Sequence, residues 1–422
     1  MRVAMLSWEY PPRIVGGLAQ HVYDLSAALA RQGVEVYVFT CGAAGAPEAE
    51  EVNGVRVYRV HPYPAGTPDF TAWVMQLNVA LLELAIPVLL RVRNIDVIHA
   101  HDWLVAWTAR ALKHGLRVPL AVTIHATEFG RNNGLHNDTQ RFISGIEWWL
   151  CYEAWRVMVC SRYMESELKY IFQLPPGKIA VVKNGVDPKN YVPDEGRTDR
   201  NWFAADDEKI VFCIGRLVRE KGMQVLLAAV PAILARHPQT KFIIAGKGPY
   251  EHELRRYAEE LGIAHRVYFT GYIDNATRNA LYSWAAVAVF PSLYEPFGIV
   301  ALEAMAARVP VVVTNVGGLS EIVQHGVDGL KCPPDDPGAL AEKISQILFN
   351  PGHAQALRER AYRKVLQECN WNDIARETRA VYEEVCHERR RIDWPSPYEV
   401  RPPGTQRGEC WGKVYQLFGR YA

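Results

Sequence analysis

The segment PSLYEPFGIVALEA, residues 291–304, carries two glutamates eight positions apart. Glu295 lies in a predicted loop, and Glu303 lies within the helix predicted to follow it. A carboxylate such as Glu303 can accept hydrogen bonds from two neighbouring hydroxyl groups, for example those of a ribose. The first N–H groups of that helix could bind an anion or a hydroxyl group; they belong to Phe297, Gly298 and Ile299. The alternative is that a glutamate here only compensates the helix dipole.

Two cations follow the first predicted strand of the second half of the chain. Arg216 and Lys221 lie on either side of the turn in GRLVREKG, residues 215–222. They could converge on a pyrophosphate, the guanidinium as a fork and the ammonium as a point charge. The alternative is a solvated loop in which Glu220 forms a salt bridge.

A pair of glycines, Gly16 and Gly17, lies where the first predicted strand turns into a helix. Glycines at such a turn let backbone N–H groups approach a phosphate, and the helix N-terminus favours its charge. The pair is neither a G-x-G-x-x-G motif nor a P-loop, and ordinary turns also carry two glycines. Taken alone, it fits a phosphate contact and a plain turn equally well.

Polar side chains also end two predicted strands of the first half. His101 and Asp102 belong to HAHDW at residues 99–103, and His125 ends the next strand. Neighbouring strand ends favour a site, although a lone histidine is more often structural. No D-x-D occurs, and no other carboxylate and histidine set has metal-binding spacing, so we expect no metal. A leaving diphosphate would then be neutralised by the two cations and by helix N-termini.

Short apolar runs alternate with helical segments along most of the chain. The runs are continuous rather than alternating, as in strands of a parallel sheet that is buried on both faces. The repeated β–α pattern predicts an α/β fold of two Rossmann-like, doubly wound domains, with ligands in the cleft between them. A polar segment at 184–209 is the predicted linker, and 389–422 is a basic, proline-containing tail. The predicted strands are 3–8, 34–40, 55–60, 96–101, 120–125, 156–161, 178–184, 209–215, 241–246, 266–271, 287–292 and 309–315.

Composition excludes several classes of protein. The chain has 422 residues, with 47 Lys and Arg against 46 Asp and Glu, so no overall charge attracts nucleic acid. Eight cysteines without a C-x-x-C motif indicate reduced thiols and a cytoplasmic protein. The apolar stretch at 73–90 contains glutamine, asparagine, glutamate and proline, so we expect a buried or interfacial helix rather than a membrane span.

Together these motifs resemble retaining glycosyltransferases of family 4, which have the GT-B fold. EPFGIVALE is similar to the E-x7-E signature of that family, in company with GRLVREKG and NGVD. HAHDW is similar to a motif of bacterial glycogen and starch synthases, a narrower branch. Ile14 stands where glycogen synthases carry a lysine, with Arg13 beside it. The resemblance covers about nine-tenths of the chain.

On the donor side, the resemblance implies that the backbone of Gly16 and Gly17 contacts the diphosphate. Arg216 and Lys221 would hold the leaving phosphates. The nucleobase would lie against the segment GYI at 271–273, which includes Tyr272 and Ile273.

At the reacting sugar, the resemblance implies that Glu295 and His125 bind donor-sugar hydroxyl groups. Asp102 would help to place the donor sugar or the acceptor, and Glu303 would bind the ribose. The implied domains are 1–190 for the acceptor, 205–370 for the nucleotide sugar, a helix at 371–390 that crosses back to the first domain, and the tail at 391–422.

The implied reaction moves a hexose, with glucose favoured, from a nucleotide-diphosphate sugar such as ADP-glucose or UDP-glucose to a saccharide acceptor, with an α-linkage as in an α-glucan. No cofactor is implied, and the oligomeric state stays open. One alternative is transfer of mannose or N-acetylglucosamine to a small molecule, a lipid or a cell-surface glycan. Another is a sugar-nucleotide-binding sensor without activity.

Overall fold

The computed structural model of the protein describes residues 1–63, 65–193 and 198–394. Within them the strands form two separate sheets. The strands are Arg2–Leu6 (β1), Glu35–Cys41 (β2), Ala49–Val52 (β3), Val55–Val60 (β4), Val97–His101 (β5), Leu120–Ile124 (β6), Arg156–Val159 (β7), Ile179–Val181 (β8), Lys209–Ile214 (β9), Thr240–Ala245 (β10), Val267–Gly271 (β11), Ala285–Phe290 (β12), Val311–Thr314 (β13) and Leu330–Cys332 (β14).

Helices cover the sheets and connect the strands. They are Gly17–Arg31 (α1), Phe70–Val92 (α2), Ala106–Leu116 (α3), Glu128–Asn132 (α4), Asp138–Glu153 (α5), Arg162–Phe172 (α6), Met223–Arg236 (α7), Glu251–Glu260 (α8), Asn275–Trp284 (α9), Ile299–Ala306 (α10), Leu319–Ile322 (α11), Pro337–Phe349 (α12), Pro351–Glu368 (α13) and Trp371–Arg391 (α14). Several begin at side chains that accept a hydrogen bond from the first turn, such as Asp69, Ser161 and Asp336.

Both sheets have the strand order of a doubly wound fold. The first runs β3-β4-β2-β1-β5-β6-β7-β8, and the second runs β11-β10-β9-β12-β13-β14. Every pairing is parallel except that of β3 with β4. The order reverses direction next to β1 and next to β9, which is where such sheets bind ligands. The prediction of two Rossmann-like sheets is confirmed.

All twelve predicted strands are present, and β3 and β14 were not predicted. The strand β3 has the sequence AEEV, and its two acidic side chains are more typical of a loop than of a strand. It forms because it pairs antiparallel with β4 at the sheet edge. The strand β14 has three residues and completes the far edge of the second sheet. Both are edge strands, whose half-solvated pairing leaves little hydrophobic pattern.

The last helix, α14, packs against α1 of the first half. Tyr382 and His99 are hydrogen-bonded, Oη to Nδ1, at 2.7 Å, and Arg156 Nη1 donates to Glu388 Oε2 at 3.1 Å. The chain therefore crosses between the halves twice. The two crossings touch, because Val186 N–H donates to the Cys369 carbonyl at 2.8 Å. The predicted tail lies, from residue 395 onward, outside the described residues.

The helix α2 contains the apolar stretch noted above. By length and composition, it is the single helix in the described ranges that could cross a membrane, and 39% of its most apolar window is buried. Its buried face packs against α3, β2 and β4. Its N-terminus brings Phe70 and Trp73 next to the loop that follows β1.

Candidate active site between the two sheets

The carboxyl ends of the strands in both sheets face a common cleft, and the two sides touch. A Cβ added at Gly17, the first residue of α1, would lie 3.3 Å from Ile299 Cδ1, at the first residue of α10. Tyr294 Oη accepts a hydrogen bond from Thr127 N–H at 3.4 Å and donates to Glu167 Oε1 at 2.9 Å. The predicted residues of the two halves are therefore neighbours across the cleft.

Lys221 and Glu295 form an ion pair on the second side. Lys221 Nζ donates to Glu295 Oε2 at 2.7 Å, and Ser292 Oγ donates to the same oxygen at 3.2 Å. The side chain of Glu295 is 8% exposed and that of Lys221 26%. The ammonium is thus fixed by a nearly buried carboxylate yet reaches solvent. Because its position is already fixed, such a cation can bind an anion in the cleft with little further loss of conformational entropy.

The backbone around Glu295 is locked by glycines. Gly318 N–H donates to the Glu295 carbonyl at 2.9 Å. Gly317 has a φ of 47°, and a Cβ there would lie 2.0 Å from the same carbonyl oxygen. Only glycine fits this close approach, because any side chain would push the Glu295 loop away. No pattern in the sequence indicated this support.

The N-terminus of α10 offers donors beside Glu295. Gly298 caps the helix with a φ of 105°, and the first helical bond runs from Ala301 N–H to the Gly298 carbonyl. Within the described parts of the chain, no hydrogen bond is made by the N–H groups of Phe297, Gly298 or Ile299. These are the N–H groups that were predicted from the sequence to bind an anion or a hydroxyl group. They lie at the positive end of the helix dipole, which favours an anion there.

Arg216 lies in the same loop as Lys221, directly after β9. Its side chain is exposed and forms no ion pair or hydrogen bond with any residue in the described ranges. Tyr272 and Ile273 follow β11, two strands away; Tyr272 is 64% exposed, whereas Ile273 is partly buried against the core. Among the described residues, the side chains of Arg216 and Tyr272 thus have no hydrogen-bond partner, and neither is bonded to the Lys221 and Glu295 pair.

Glu303 is buried on α10 next to two tyrosines. Tyr282 Oη donates to Glu303 Oε2 at 3.4 Å, and Tyr191 also bonds to this carboxyl group. Arg278 stacks 4.6 Å from the centre of the Tyr191 ring and adds positive charge nearby. Burial raises the pKa of Glu303, opposed chiefly by Arg278. None of these three partners was identified from the sequence, because they lie up to 112 residues away along the chain.

The glycine turn after β1 is held by a residue that sequence reasoning missed. Glu9 Oε2 accepts hydrogen bonds from the N–H groups of Val15, at 2.5 Å, and Gly16, at 3.1 Å. The side chain is 3% exposed, and burial raises its pKa to about 7. One N–H group expected to contact a diphosphate is therefore bonded to Glu9, while the Gly17 N–H makes no hydrogen bond to any residue that the structure describes.

His125 lies at the end of β6, and Asp102 supports it from the end of β5. Asp102 Oδ1 accepts a hydrogen bond from the His125 backbone N–H at 2.7 Å. Asp102 is 4% exposed, burial raises its pKa to about 6, and its φ is 60°. Backbone strain of this kind costs about 1–3 kcal/mol and persists only where the surroundings enforce it. Asp102 therefore fixes the position of His125 from inside the protein.

Other histidines surround the ring of His125. His101 Nδ1 and His125 Nε2 are hydrogen-bonded at 3.1 Å, and the ring of His21 lies 4.7 Å from that of His125. Burial lowers the pKa of all three, so the rings are neutral near pH 7. His21 was not identified from the sequence. It lies one helical turn after Gly17 on α1, and this spacing could have indicated that its side chain lies on the same helix face as the glycine turn.

Arg13, next to the exposed Ile14, lies against aromatic rings. Its guanidinium is 5.4 Å from the centre of the Trp8 ring and 5.7 Å from that of Trp73. Phe70 stacks on Trp73 with centroids 5.7 Å apart. Together they form an aromatic wall with one cation beside the glycine turn.

Comparison with known proteins explains this arrangement. Residues 15–190 match the family Glycosyltransferase Family 4, and residues 194–364 match Glycosyl transferases group 1. The chain is 41% identical over 388 residues to an uncharacterized glycosyltransferase of Methanocaldococcus jannaschii, covering 90% of this chain and 98% of that protein. It is 36% identical over 401 residues to the glycogen synthase of Mycobacterium tuberculosis, covering 90% and 94%. It is 30% identical over 414 residues to D-inositol 3-phosphate glycosyltransferase 2 of Catenulispora acidiphila, also covering 90% and 94%.

Solved structures agree with this assignment. Sucrose-phosphate synthase of Thermosynechococcus elongatus superposes with a TM-score of 0.78 at 28% identity, covering 92% of this chain and all of that one. HepE of Anabaena in complex with UDP-glucose superposes with a TM-score of 0.72 at 20% identity, covering 91% of this chain and all of that one. The chain therefore belongs to glycosyltransferase family 4 and has the GT-B fold.

Proposed function

We propose that this protein is a retaining hexosyltransferase that moves glucose from ADP-glucose or UDP-glucose to an α-glucan. The observation that carries the proposal is the Lys221 and Glu295 ion pair beside the free N–H groups of α10. This combination supplies positive charge for a leaving diphosphate and an acceptor for sugar hydroxyl groups. The glycogen synthase relative, at 36% identity, supports glucose and a glucan.

In this mechanism the bond between the anomeric carbon and the diphosphate oxygen breaks, and its electron pair leaves with the diphosphate. Lys221, Arg216 and the helix N–H groups stabilise that charge without a metal ion. The acceptor oxygen attacks from the same face, and its proton passes to the departing phosphate. Glu295 and His125 hold the sugar hydroxyl groups, and Asp102 holds His125.

A covalent route through Glu295 is the competing mechanism. Retaining glycosidases use a carboxylate as a nucleophile close to the anomeric carbon. Here one carboxylate oxygen of Glu295 already accepts bonds from Lys221 and Ser292. We therefore assign it to binding. A glycosyl ester on Glu295, trapped with a slow donor and found by mass spectrometry, would replace this mechanism by double displacement.

The nucleotide contact is tested by Glu303→Gln. The amide keeps the size of the side chain but loses the charge that strengthens bonds to two ribose hydroxyl groups. Hydrogen bonds to a charged group contribute about 1.5–3 kcal/mol, so we expect donor KM to rise at least tenfold with kcat little changed. Initial rates over a range of donor concentrations measure both constants. The exposed Glu342 on α12 provides the control substitution Glu342→Gln, and an unchanged donor KM in Glu303→Gln would remove the ribose role.

The acceptor is proposed to lie along the aromatic wall formed by Trp8, Phe70 and Trp73. Sugar rings pack on aromatic faces, and Arg13 can donate to their hydroxyl groups. We expect Trp73→Ala to raise acceptor KM about tenfold, since such ring contacts are worth about 0.5–1.5 kcal/mol beyond their buried area. Donor KM should stay within twofold. Trp202→Ala, at a linker residue that is 67% exposed, is the control. A larger rise in donor KM than in acceptor KM would place the acceptor elsewhere.

A second candidate is transfer of another sugar, such as mannose or N-acetylglucosamine, to a small molecule, a lipid or a surface glycan. Two observations favour keeping it: the relative named as an inositol 3-phosphate glycosyltransferase, and Ile14 in place of the lysine of glycogen synthases. A sensor that binds sugar nucleotides without turnover is the non-enzymatic alternative. We also infer a cytoplasmic location, supported by seven free cysteines within the described residues.

One experiment separates these functions. The purified protein is incubated with ADP-glucose, UDP-glucose, GDP-mannose or UDP-N-acetylglucosamine, each with glycogen, inositol phosphate or no acceptor. Diphosphate release that depends on glycogen and glucose donors, with α-linked product by NMR, is the expected result. A β-linked product would exclude retention. Tight nucleotide binding without release from any donor would identify a sensor.

A further inference from the structure

Three histidines, two of them buried, come together behind the cleft. One ring nitrogen from each of His21, His101 and His125 lies within 4.8 Å of the other two. His21 comes from α1, His101 from the end of β5 and His125 from the end of β6. His21 is 4% exposed and His101 is fully buried, whereas His125 is partly open. Residues from three separate elements thus present neutral imidazoles to one point.

Several polar atoms at this point have no partner. Among the described residues, His101 Nε2 makes no hydrogen bond, and no well-formed hydrogen bond holds the ring of His21, which interacts with the Asn184 side chain. Asn184 Oδ1, beside His21, is a further acceptor without a well-formed hydrogen bond among the described residues, whereas the unpartnered Trp371 Nε1–H is a donor that a cation would not satisfy. An unsatisfied buried group costs about 1–3 kcal/mol, and native proteins tolerate few of them. Such a concentration indicates that another species binds among these atoms.

We propose that His21, His101 and His125 bind one transition-metal ion of the zinc class. Neutral imidazole suits zinc, copper and nickel, and three histidines with an open fourth position are the pattern of an accessible zinc site. The open position would lie on the side of His125, the ligand nearest solvent. Asp102, bonded to the backbone of His125, adds negative charge close by, which the neighbouring cation Arg131 partly offsets.

The geometry needs a modest adjustment. Zn–N bonds of about 2.0–2.1 Å in a tetrahedron place the nitrogens about 3.4 Å apart. His101 Nδ1 and His125 Nε2 are already 3.1 Å apart. The set spans up to 4.8 Å, so closure requires an approach of little more than 1 Å. Ring rotation of His21 can supply it, at the cost of the interaction of that ring with the Asn184 side chain.

Metal binding would have a consequence for transfer, and this step rests on the proposed function. An ion held by His125 removes that ring from the donor sugar. Zinc should therefore inhibit the transferase, and a chelator should restore activity. The bound ion acts as an inhibitor, while the leaving diphosphate is still stabilised by Lys221 and Arg216.

The test measures binding without any substrate. The protein is treated with EDTA, dialysed, and titrated with Co²⁺ while the visible absorbance of the ion is followed; Zn²⁺ is then added to displace it. We expect one equivalent to bind, and His21→Ala to weaken binding at least 100-fold, since even outer-shell partners of a metal change affinity 10–100-fold. His252→Ala, at an exposed histidine of α8, should bind like the parent protein. His21→Asn, with circular dichroism and thermal unfolding of every variant, controls for folding.

The outcomes are distinct. Absence of bound Co²⁺ and Zn²⁺, or equal affinity in folded His21→Ala, His21→Asn and the parent protein, would overturn the metal site and leave buried water as the partner of these atoms. Stoichiometric binding that depends on His21 supports it even if no donor is turned over, in which case the proposed function fails alone. Inhibition of transfer by zinc that is relieved in His21→Ala would support both the metal site and the proposed function.

Discussion

Replacing Lys221 with alanine should lower kcat about 10³-fold. Removal of one hydrogen-bond donor to the developing negative charge lowers kcat about 10²–10³-fold, and removal of Lys221 also takes away a full positive charge. Donor KM should change much less. The substitution also leaves the Glu295 carboxylate, 8% exposed, without the ammonium 2.7 Å away. An unpaired carboxylate beside the α10 N-terminus would repel the diphosphate that Lys221 now attracts. Steady-state rates with saturating acceptor measure the effect.

Three further variants test whether the loss of kcat comes from the missing charge of Lys221. Lys241→Ala is the matched control, because Lys241 donates to the His265 carbonyl on the second sheet, away from the cleft. Lys221→Arg keeps the charge but replaces a point donor by a fork, and should recover part of the activity. The double variant Lys221→Ala with Glu295→Gln should lose less than the product of the single losses, because the two residues share one ion pair. A rise in donor KM with unchanged kcat in Lys221→Ala would mean that Lys221 binds donor and transition state equally.

The strands and the position of the cleft could be predicted from the sequence because parallel strands buried on both faces are continuous runs of Val, Ile and Phe. His125 follows such a run directly, and Lys221 and Glu295 lie in the loops that follow two others. A doubly wound fold places the carboxyl ends of its parallel strands at one edge, so proximity followed from topology alone. The sequence could not show that Lys221 and Glu295, 74 residues apart, form an ion pair.

What the sequence could not supply are partners that depend on how loops fold back. Glu9 lies in the right loop, yet its bonds to Val15 and Gly16 arise only because the loop closes on itself. His21 appears as one more residue of an amphipathic helix until α1 packs against β2, β4 and α14, which brings its ring next to His101 and His125. Tyr191 approaches Glu303 from the linker. Side chains that support a site leave no local periodicity, whereas the strands that carry the site do.

Glu9 should make the stability of the protein depend on pH. Burial raises its pKa from 4.5 to about 7, although the N–H groups of Val15 and Gly16 oppose the shift. A carboxyl group with a higher pKa in the folded state favours folding while it is protonated. Its contribution is complete below about pH 4.5 and is lost as the pH rises through 7. A difference of 2.5 pKa units corresponds to about 3 kcal/mol.

We therefore expect Glu9→Gln to remove about 2.5 kcal/mol of the fall in unfolding free energy between pH 5 and pH 8. Glutamine keeps a carbonyl oxygen for the two N–H groups and has no proton to lose. Urea unfolding at half-unit pH intervals measures the slope in each protein. Other buried carboxyl groups with raised pKa values, such as Asp102 and Asp24, contribute to both slopes and cancel in the difference. Glu253→Gln, at an exposed position of α8, is the control, and identical slopes in Glu9→Gln and the parent protein would contradict the prediction.

The same group links stability to donor binding. The Gly16 N–H cannot bond fully to both Glu9 and a diphosphate, and an ionised Glu9 would also repel the diphosphate. Nucleoside-diphosphate sugars should therefore bind more tightly at pH 6 than at pH 8, and Glu9→Gln should abolish most of this difference. Isothermal titration with the donor at the two pH values measures it. If pH dependence persists unchanged in Glu9→Gln while the stability slope disappears, then the diphosphate does not use the Gly16 N–H, and the glycine turn serves only to begin α1.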